Sequence, residues 1–268
     1  MLKTEYDGKT LRLIVDGFEL LSTPFISAIK LQKTYRSRRG TVRETIEELE
    51  HARLNDIEKT GSNTFVMSGD GHSIKMKVVP CELGCELFFE GEKGWAYEFK
   101  LPAYEGEAVF GGGEQYRQTN LRGKRVMNFV SEHITAKTLM EKVILPDHRY
   151  REKEAESIGS YSPMPVFVTD RGRLFYFDTP ADGISKFGIN NYRMRFDECP
   201  RSLMLLHAAD YDTLVRALAK KNPPGMYLPD WCLDGMMIAV QGGTDRVISK
   251  AFTMLDAGAK ISAVWSQD

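Results

Sequence analysis

The chain has 268 residues, with 36 Lys and Arg against 37 Asp and Glu for a net charge of −1. Hydrophobic residues make up 42% and aromatics 10%, which suits a packed globular protein and excludes disordered, collagen-like and coiled-coil classes. A charge so near zero offers no overall basic field for nucleic acid or an anionic membrane. Nothing approaches the roughly 18–20 apolar residues of a membrane span. The start, Met1 to Gly8, lacks the charged-then-apolar shape of a signal peptide, so a soluble, cytoplasmic chain is the expectation.

In chain order, the first three-quarters reads as β. Leu11–Val15 and Phe18–Leu21 flank Asp16-Gly17, and Thr64–Met67 and Ser73–Val79 flank Asp70-Gly71. Asp-Gly between apolar runs signals a hairpin, because a type I′ turn needs positive φ at both central residues. Ile74, Met76 and Val78 alternate as a half-buried strand should. Further strands are expected at 86–90, 96–101, 166–169, 174–177 and 203–206. A polar helix is expected around Arg43–Arg53. The frequent turn residues predict an antiparallel β-sandwich over residues 1–221.

Near residue 210 the pattern changes. Leu214, Ala217 and Leu218 share one face of a short helix over Asp212–Lys221, with Asp210 or Asp212 as N-cap, and Asn222-Pro223-Pro224-Gly225 stops it. Met236–Val240 is a continuous apolar run suited to a strand buried on both faces. A helix over Asp245–Ala257 follows, N-capped by Thr244 and ended by Gly258, and then a second strand, Ile261–Trp265. Residues 222–268 thus read as a linker and one right-handed parallel βαβ unit. Such a unit cannot cover its own faces, so the chain is expected to be the front part of a longer polypeptide.

Cys81, Cys85, Cys199 and Cys232 form no C-x-x-C, and the five histidines are scattered. Reduced, mostly buried thiols and no metal centre are expected.

Two motifs carry chemistry. Phe110-Gly111-Gly112-Gly113-Glu114-Gln115 lacks the lysine of a phosphate loop and sets a negative charge where phosphate would sit. It reads either as a tight turn or as a loop presenting Glu114 to a ligand's hydroxyls. Tyr116, Arg117 and Arg122 could reach a ligand from the same loop or lie on the surface. Gln241 and Gln267 each follow a parallel strand, at the edge where α/β sheets bind ligands. A glutamine amide both donates and accepts, as an oxygen-rich ligand requires, although Gln241 could equally cap the turn.

These residues carry a resemblance. Ala108–Gln115 followed by Leu121-Arg122-Gly123-Lys124 resembles the N-terminal β-sandwich of glycoside hydrolase family 31. Leu228-Pro229-Asp230-Trp231 with Asp234-Gly235 resembles that family's lead into its (β/α)8 barrel. Val240–Thr244 with Val264–Asp268 resembles the sulfoquinovosidase branch, which releases sulfoquinovose from its glycosides. The resemblance implies a galactose-mutarotase-like sandwich, then the first βαβ unit of an incomplete barrel. It makes Glu114, Gln241 and Gln267 substrate-binding residues. The family's α-glucosidases carry Asp-x-Asp where this chain has Ser266-Gln267-Asp268, and a missing carboxylate suits a sulfonate. A retaining glycosidase needs two carboxyl groups roughly 5 to 5.5 Å apart, and in this family both come from later barrel strands. No residue of the chain is therefore assigned a catalytic role, no cofactor is implied, and the segment is expected to be inactive alone. The alternatives are an α-glucosidase or α-xylosidase fragment of the same family, and a non-catalytic carbohydrate-binding sandwich.

Overall fold

The computed structural model describes residues 2–38, 41–114, 118–130, 157–160, 162–222, 225 and 227–266. The chain divides into two compact units, Met1–Ala217 and Leu218–Asp268.

The first unit opens with three antiparallel strands, β1 (Leu2–Tyr6), β2 (Leu11–Val15) and β3 (Phe18–Ser22). Asp16 and Gly17 join β2 to β3 with φ of 49° and 83°, the left-handed pair that an Asp-Gly hairpin requires. Next come β4 (Ile26–Arg38) and β5 (Thr41–Arg53), then β6 (Asp56–Lys59), β7 (Thr64–Gly69), β8 (His72–Cys81) and β9 (Gly84–Glu90). Asp70 and Gly71, at 51° and 83°, repeat the turn between β7 and β8. The unit continues with β10 (Ala96–Pro102), β11 (Val109–Gly111), β12 (Arg125–Val130), β13 (Ser157–Ser160), β14 (Val166–Thr169), β15 (Arg173–Asp178), β16 (Gly183–Phe187), β17 (Asn191–Phe196) and β18 (Ser202–His207).

Among the described residues these strands form a seven-stranded sheet, ordered β13-β12-β16-β17-β10-β4-β5, and an eight-stranded sheet, ordered β11-β14-β15-β18-β9-β8-β7-β6. Pairing is antiparallel except between β12 and β13. The sheets meet through aromatic rings: Phe177 of the eight-stranded sheet lies 5.3 Å from Phe99 and 4.9 Å from Phe196 of the other. Alternation supplies this core, since Tyr97, Phe99 and Leu101 are buried while Lys100 is exposed. The sandwich expected from the sequence is present.

The helix expected at Arg43–Arg53 is absent; the segment belongs to β5. Its glutamates are good helix formers, but the segment pairs with β4 from Ser27–Arg53 to Arg38–Thr41, and that pairing buries Ala52 against Ala28. Long-range pairing outweighs a small local propensity. The four cysteines are unpaired to one another, yet only Cys85 is fully buried and Cys81 is exposed. Burial pushes the Cys85 and Cys199 thiols up to about 12.

The helix α1 (Tyr211–Lys221) starts where Asp210 Oδ1 accepts the Thr213 N–H at 2.8 Å, which makes Asp210 the cap. In the second unit a 3-10 turn (Asp230–Leu233) precedes β19 (Met236–Val240), α2 (Thr244–Asp256) and β20 (Ile261–Ser266). β19 and β20 are parallel, as expected, from Met236–Ile261 to Val240–Ser266. Gly243, not Thr244, is the N-cap: its φ of 87° turns the chain, and Thr244 is already helical. Gly258, at φ 85°, closes the helix by donating to Leu255 O. The burial expected of the strands is not met. Ile238 is buried, but Met237 and Trp265 are 63% and 56% exposed, because only one helix packs on this pair among the described residues. No helix of the described residues is long and apolar enough to cross a membrane.

Candidate functional site

The glycine-rich loop continues the β11–β14 ladder. Val109 pairs with Thr169, Phe110 with Val168 and Gly111 with Phe167. Beyond it, Gly112 N donates to Val166 O at 2.9 Å and Glu114 N to Ser162 O at 3.2 Å. Gly111, Gly112 and Gly113 all take positive φ, of 113°, 80° and 90°. A Cβ on Gly113 would lie 1.9 Å from Ser162 O, so only glycine lets the two backbones approach this closely. Glu114 ends this tight stretch with its side chain exposed. A carboxylate held by the backbone behind it is suited to accept hydrogen bonds from sugar hydroxyls.

The root of the loop is fixed by side chains. Asn120 Oδ1 accepts the Val109 and Arg122 N–H groups, and Asp170 Oδ1 accepts that of Ala108 at 2.9 Å. Arg122 does not reach outward. Its Nη1 donates to Tyr104 O and Glu107 O at 2.9 and 2.8 Å, and its Nη2 to Ile189 O at 3.0 Å, so it ties loops together. Tyr116 and Arg117 lie outside the described residues.

At the other end of β11 from the loop lies a charged pair the sequence did not flag. Glu107 and Arg173 are both fully buried, Tyr192 donates to Glu107 Oε2 at 2.7 Å, and the Arg173 guanidinium lies 4.7 Å over the Tyr104 ring. Burial opposes charge on Glu107, but the Arg173 hydrogen bonds and charge, with Tyr192, hold its carboxyl below the usual carboxylate range. Both residues sit beside Gly-containing polar loops that read as solvated surface. No spacing signal could have found them.

In the second unit Gln241 follows β19 directly and is exposed, at the C-terminal edge of the parallel pair. Gly242 and Gly243, at φ 107° and 87°, turn the chain into α2. Gln267 follows Ser266, the last residue paired with Val240, and lies outside the described residues. Glu114 and Gln241 thus fall in different units. Among the described residues no three His, Cys, Asp or Glu stand together as metal ligands.

No family model matches the chain. It is 26% identical over 170 residues to a sulfoquinovosidase of Escherichia coli (strain K12), covering 63% of this chain and 25% of that protein. To a sulfoquinovosidase of Agrobacterium fabrum (strain C58 / ATCC 33970) it is 20% identical over 221 residues, covering 82% and 33%. The chain therefore spans a quarter to a third of the length of the curated relatives it matches. In fold it is similar to a GH31 family sulfoquinovosidase from E. rectale, solved in complex with the aza-sugar inhibitor IFGSQ. The TM-score is 0.70 at 23% identity, over 99% of this chain and 41% of that one. The chain is thus similar in sequence to two sulfoquinovosidases and similar in fold to a GH31 family sulfoquinovosidase.

Proposed function

We propose that the chain forms the N-terminal part of a retaining α-glycosidase that hydrolyses α-sulfoquinovosides. The observation that carries this reading is the sequence likeness to two sulfoquinovosidases, one of them running over 221 residues. In this reading residues 1–221 form one wall of the substrate pocket and residues 222–268 begin the catalytic barrel. Glu114 accepts sugar hydroxyls, and Gln241 and Gln267 grip the sugar from the ends of the first two barrel strands. Neutral amides there leave the sulfonate's negative charge unopposed, where a carboxylate would repel it. The nucleophile and the acid/base come from further barrel strands of the same polypeptide, and hydrolysis passes through a covalent glycosyl intermediate without metal or organic cofactor. Those strands also cover the exposed faces of β19, β20 and α2.

The experiment is an assay on a chromogenic α-sulfoquinovoside. The 268-residue chain alone should release no chromophore, and the product of the full reading frame should. Turnover by the chain alone would show that its catalytic carboxyl groups lie within it. A reading frame that stops after codon 268, with sugar binding but no hydrolysis, would replace this reading by a carbohydrate-binding sandwich.

A further inference from the structure

The glycine-rich loop is closed at its neck by hydrogen bonds between the limb that enters it and the limb that leaves. Leu121 N donates to Val109 O at 2.7 Å, and Asn120 Oδ1 accepts the Val109 N–H at 3.2 Å. Next to these, Arg122 Nη1 donates to Glu107 O at 2.8 Å and to Tyr104 O at 2.9 Å. Its Nη2 donates to Ile189 O at 3.0 Å, in the turn from β16 to β17. The entering limb belongs to the eight-stranded sheet through β11, and β16 and β17 belong to the seven-stranded sheet. One half-buried guanidinium therefore ties the neck of the loop to both sheets.

Both ends of that bridge are fixed. The Glu107 carboxylate takes Arg173 Nε at 2.8 Å and the Tyr192 hydroxyl at 2.7 Å, so the residue whose carbonyl receives Arg122 is anchored by its own side chain. On the leaving limb, Gly123 N donates to Phe187 O at 2.6 Å and Phe187 N to Lys124 O at 3.0 Å, which seats that limb on β16. Reaching carbonyls on separate segments suits the planar fork of arginine, whereas a lysine ammonium is a single point of charge.

We propose that Arg122 is a positioning residue for substrate binding, which rests on the proposed role of Glu114 as a ligand of the sugar. It clamps the neck of the loop and so fixes where Glu114 meets the sugar's hydroxyls. Glu114 lies past the neck on the entering limb, and its exposed side chain is placed by the backbone that carries it. A carboxylate already in place needs little further ordering when the sugar binds. A displacement of about 1 Å can cost about a hundredfold in rate. Nη1 and Nη2 of Arg122 donate to carbonyls of the protein, so Arg122 acts through Glu114 and not on the sugar itself.

The test measures kcat and KM of the full-length enzyme on a chromogenic α-sulfoquinovoside for Glu114→Ala, Arg122→Met, Arg122→Lys, and each Arg122 variant combined with Glu114→Ala. Glu114→Ala should lower kcat/KM about tenfold or more, as expected for loss of a hydrogen bond to a charged group. Arg122→Met should lower it several-fold, mostly through a raised KM, and by no more than Glu114→Ala does. Arg122→Lys keeps the charge without the fork and should show the same pattern more mildly, which preserves the comparison if the methionine variant does not fold. In the double variants kcat/KM should stay within about twofold of Glu114→Ala alone, because no carboxylate is left to position. A purely structural role would multiply the two losses. Parental kinetics in both Arg122 variants, or multiplied losses in the double variants, would overturn the proposal and leave the role of Glu114 standing. Unchanged kinetics in Glu114→Ala, or a parent enzyme that does not hydrolyse the sulfoquinovoside, would overturn the underlying reading and the proposal with it.

Discussion

Arg173 and Glu107 meet inside the sandwich with both side chains fully buried, Nε to Oε1 at 2.8 Å. Glu107 also takes the Tyr192 hydroxyl, and its backbone carbonyl takes Arg122. The pair therefore links β15 and β17 to the segment that feeds the glycine-rich loop. Removing one partner of such a pair strands a buried charge. Glu107→Gln should destabilise the chain by about 3–5 kcal/mol in denaturant unfolding, whereas Glu107→Leu with Arg173→Met should recover most of that loss. The pH dependence follows from the depressed carboxyl. The stability it contributes is complete above the ordinary value of 4.5 and is lost as pH falls below it toward the folded-state value. In Glu107→Gln the acid limb of the stability curve should flatten, and an unchanged limb would contradict the coupling.

Gly113 is the tightest point of the loop that presents Glu114. At φ 90°, with Ser162 O 1.9 Å from a would-be Cβ, Gly113→Ala should cost about 1–3 kcal/mol of thermal stability. Gly106→Ala, also at positive φ but with open space around it, provides the comparison: it carries the backbone strain without the clash and should cost less.

His72 is held between Glu50 and Glu92, at 3.1 and 3.3 Å, against the Trp95 ring. The Glu50 hydrogen bond, opposed by burial and helped by Glu92, raises its pKa above the ordinary 6.5. Its contribution is therefore complete below 6.5 and fades as pH rises through the raised value. An NMR titration should place the His72 midpoint above 6.5, and Glu50→Gln should move it down. A midpoint unmoved by Glu50→Gln would contradict the pairing.

What the sequence made legible was local chemistry. Both Asp-Gly hairpins, the parallel βαβ unit and the Gly258 cap depend on neighbouring residues alone, and all are present. β5 was misread because its strand character comes from β4, whose partner residues lie up to 26 positions away (Ser27 with Arg53). The Glu107–Arg173 pair joins residues 66 apart. Only the fold brings such charges together. Of the three sugar-binding residues the sequence suggested, the structure shows Glu114 and Gln241 exposed on separate units, and Gln267 lies outside the described residues.

In the second unit, Met237, Phe252 and Trp265 are 63%, 61% and 56% exposed. Exposed apolar surface of this kind drives association. The chain by itself should self-associate with rising concentration in sedimentation velocity, and Met237→Lys with Phe252→Lys should shift it toward monomer. A parent chain that stays monomeric throughout would contradict this.

The most direct measurement of the proposed specificity compares kcat/KM of the full-length enzyme on a chromogenic α-sulfoquinovoside and the matching α-glucoside, before and after Gln241→Ala and Gln267→Glu. Sulfoquinovoside should be strongly preferred, and each substitution should cut its kcat/KM by about tenfold or more, the worth of one hydrogen bond to a charged or strongly polar group. Equal or faster hydrolysis of the glucoside, or variants with unchanged kinetics on the sulfonated sugar, would contradict the assignment.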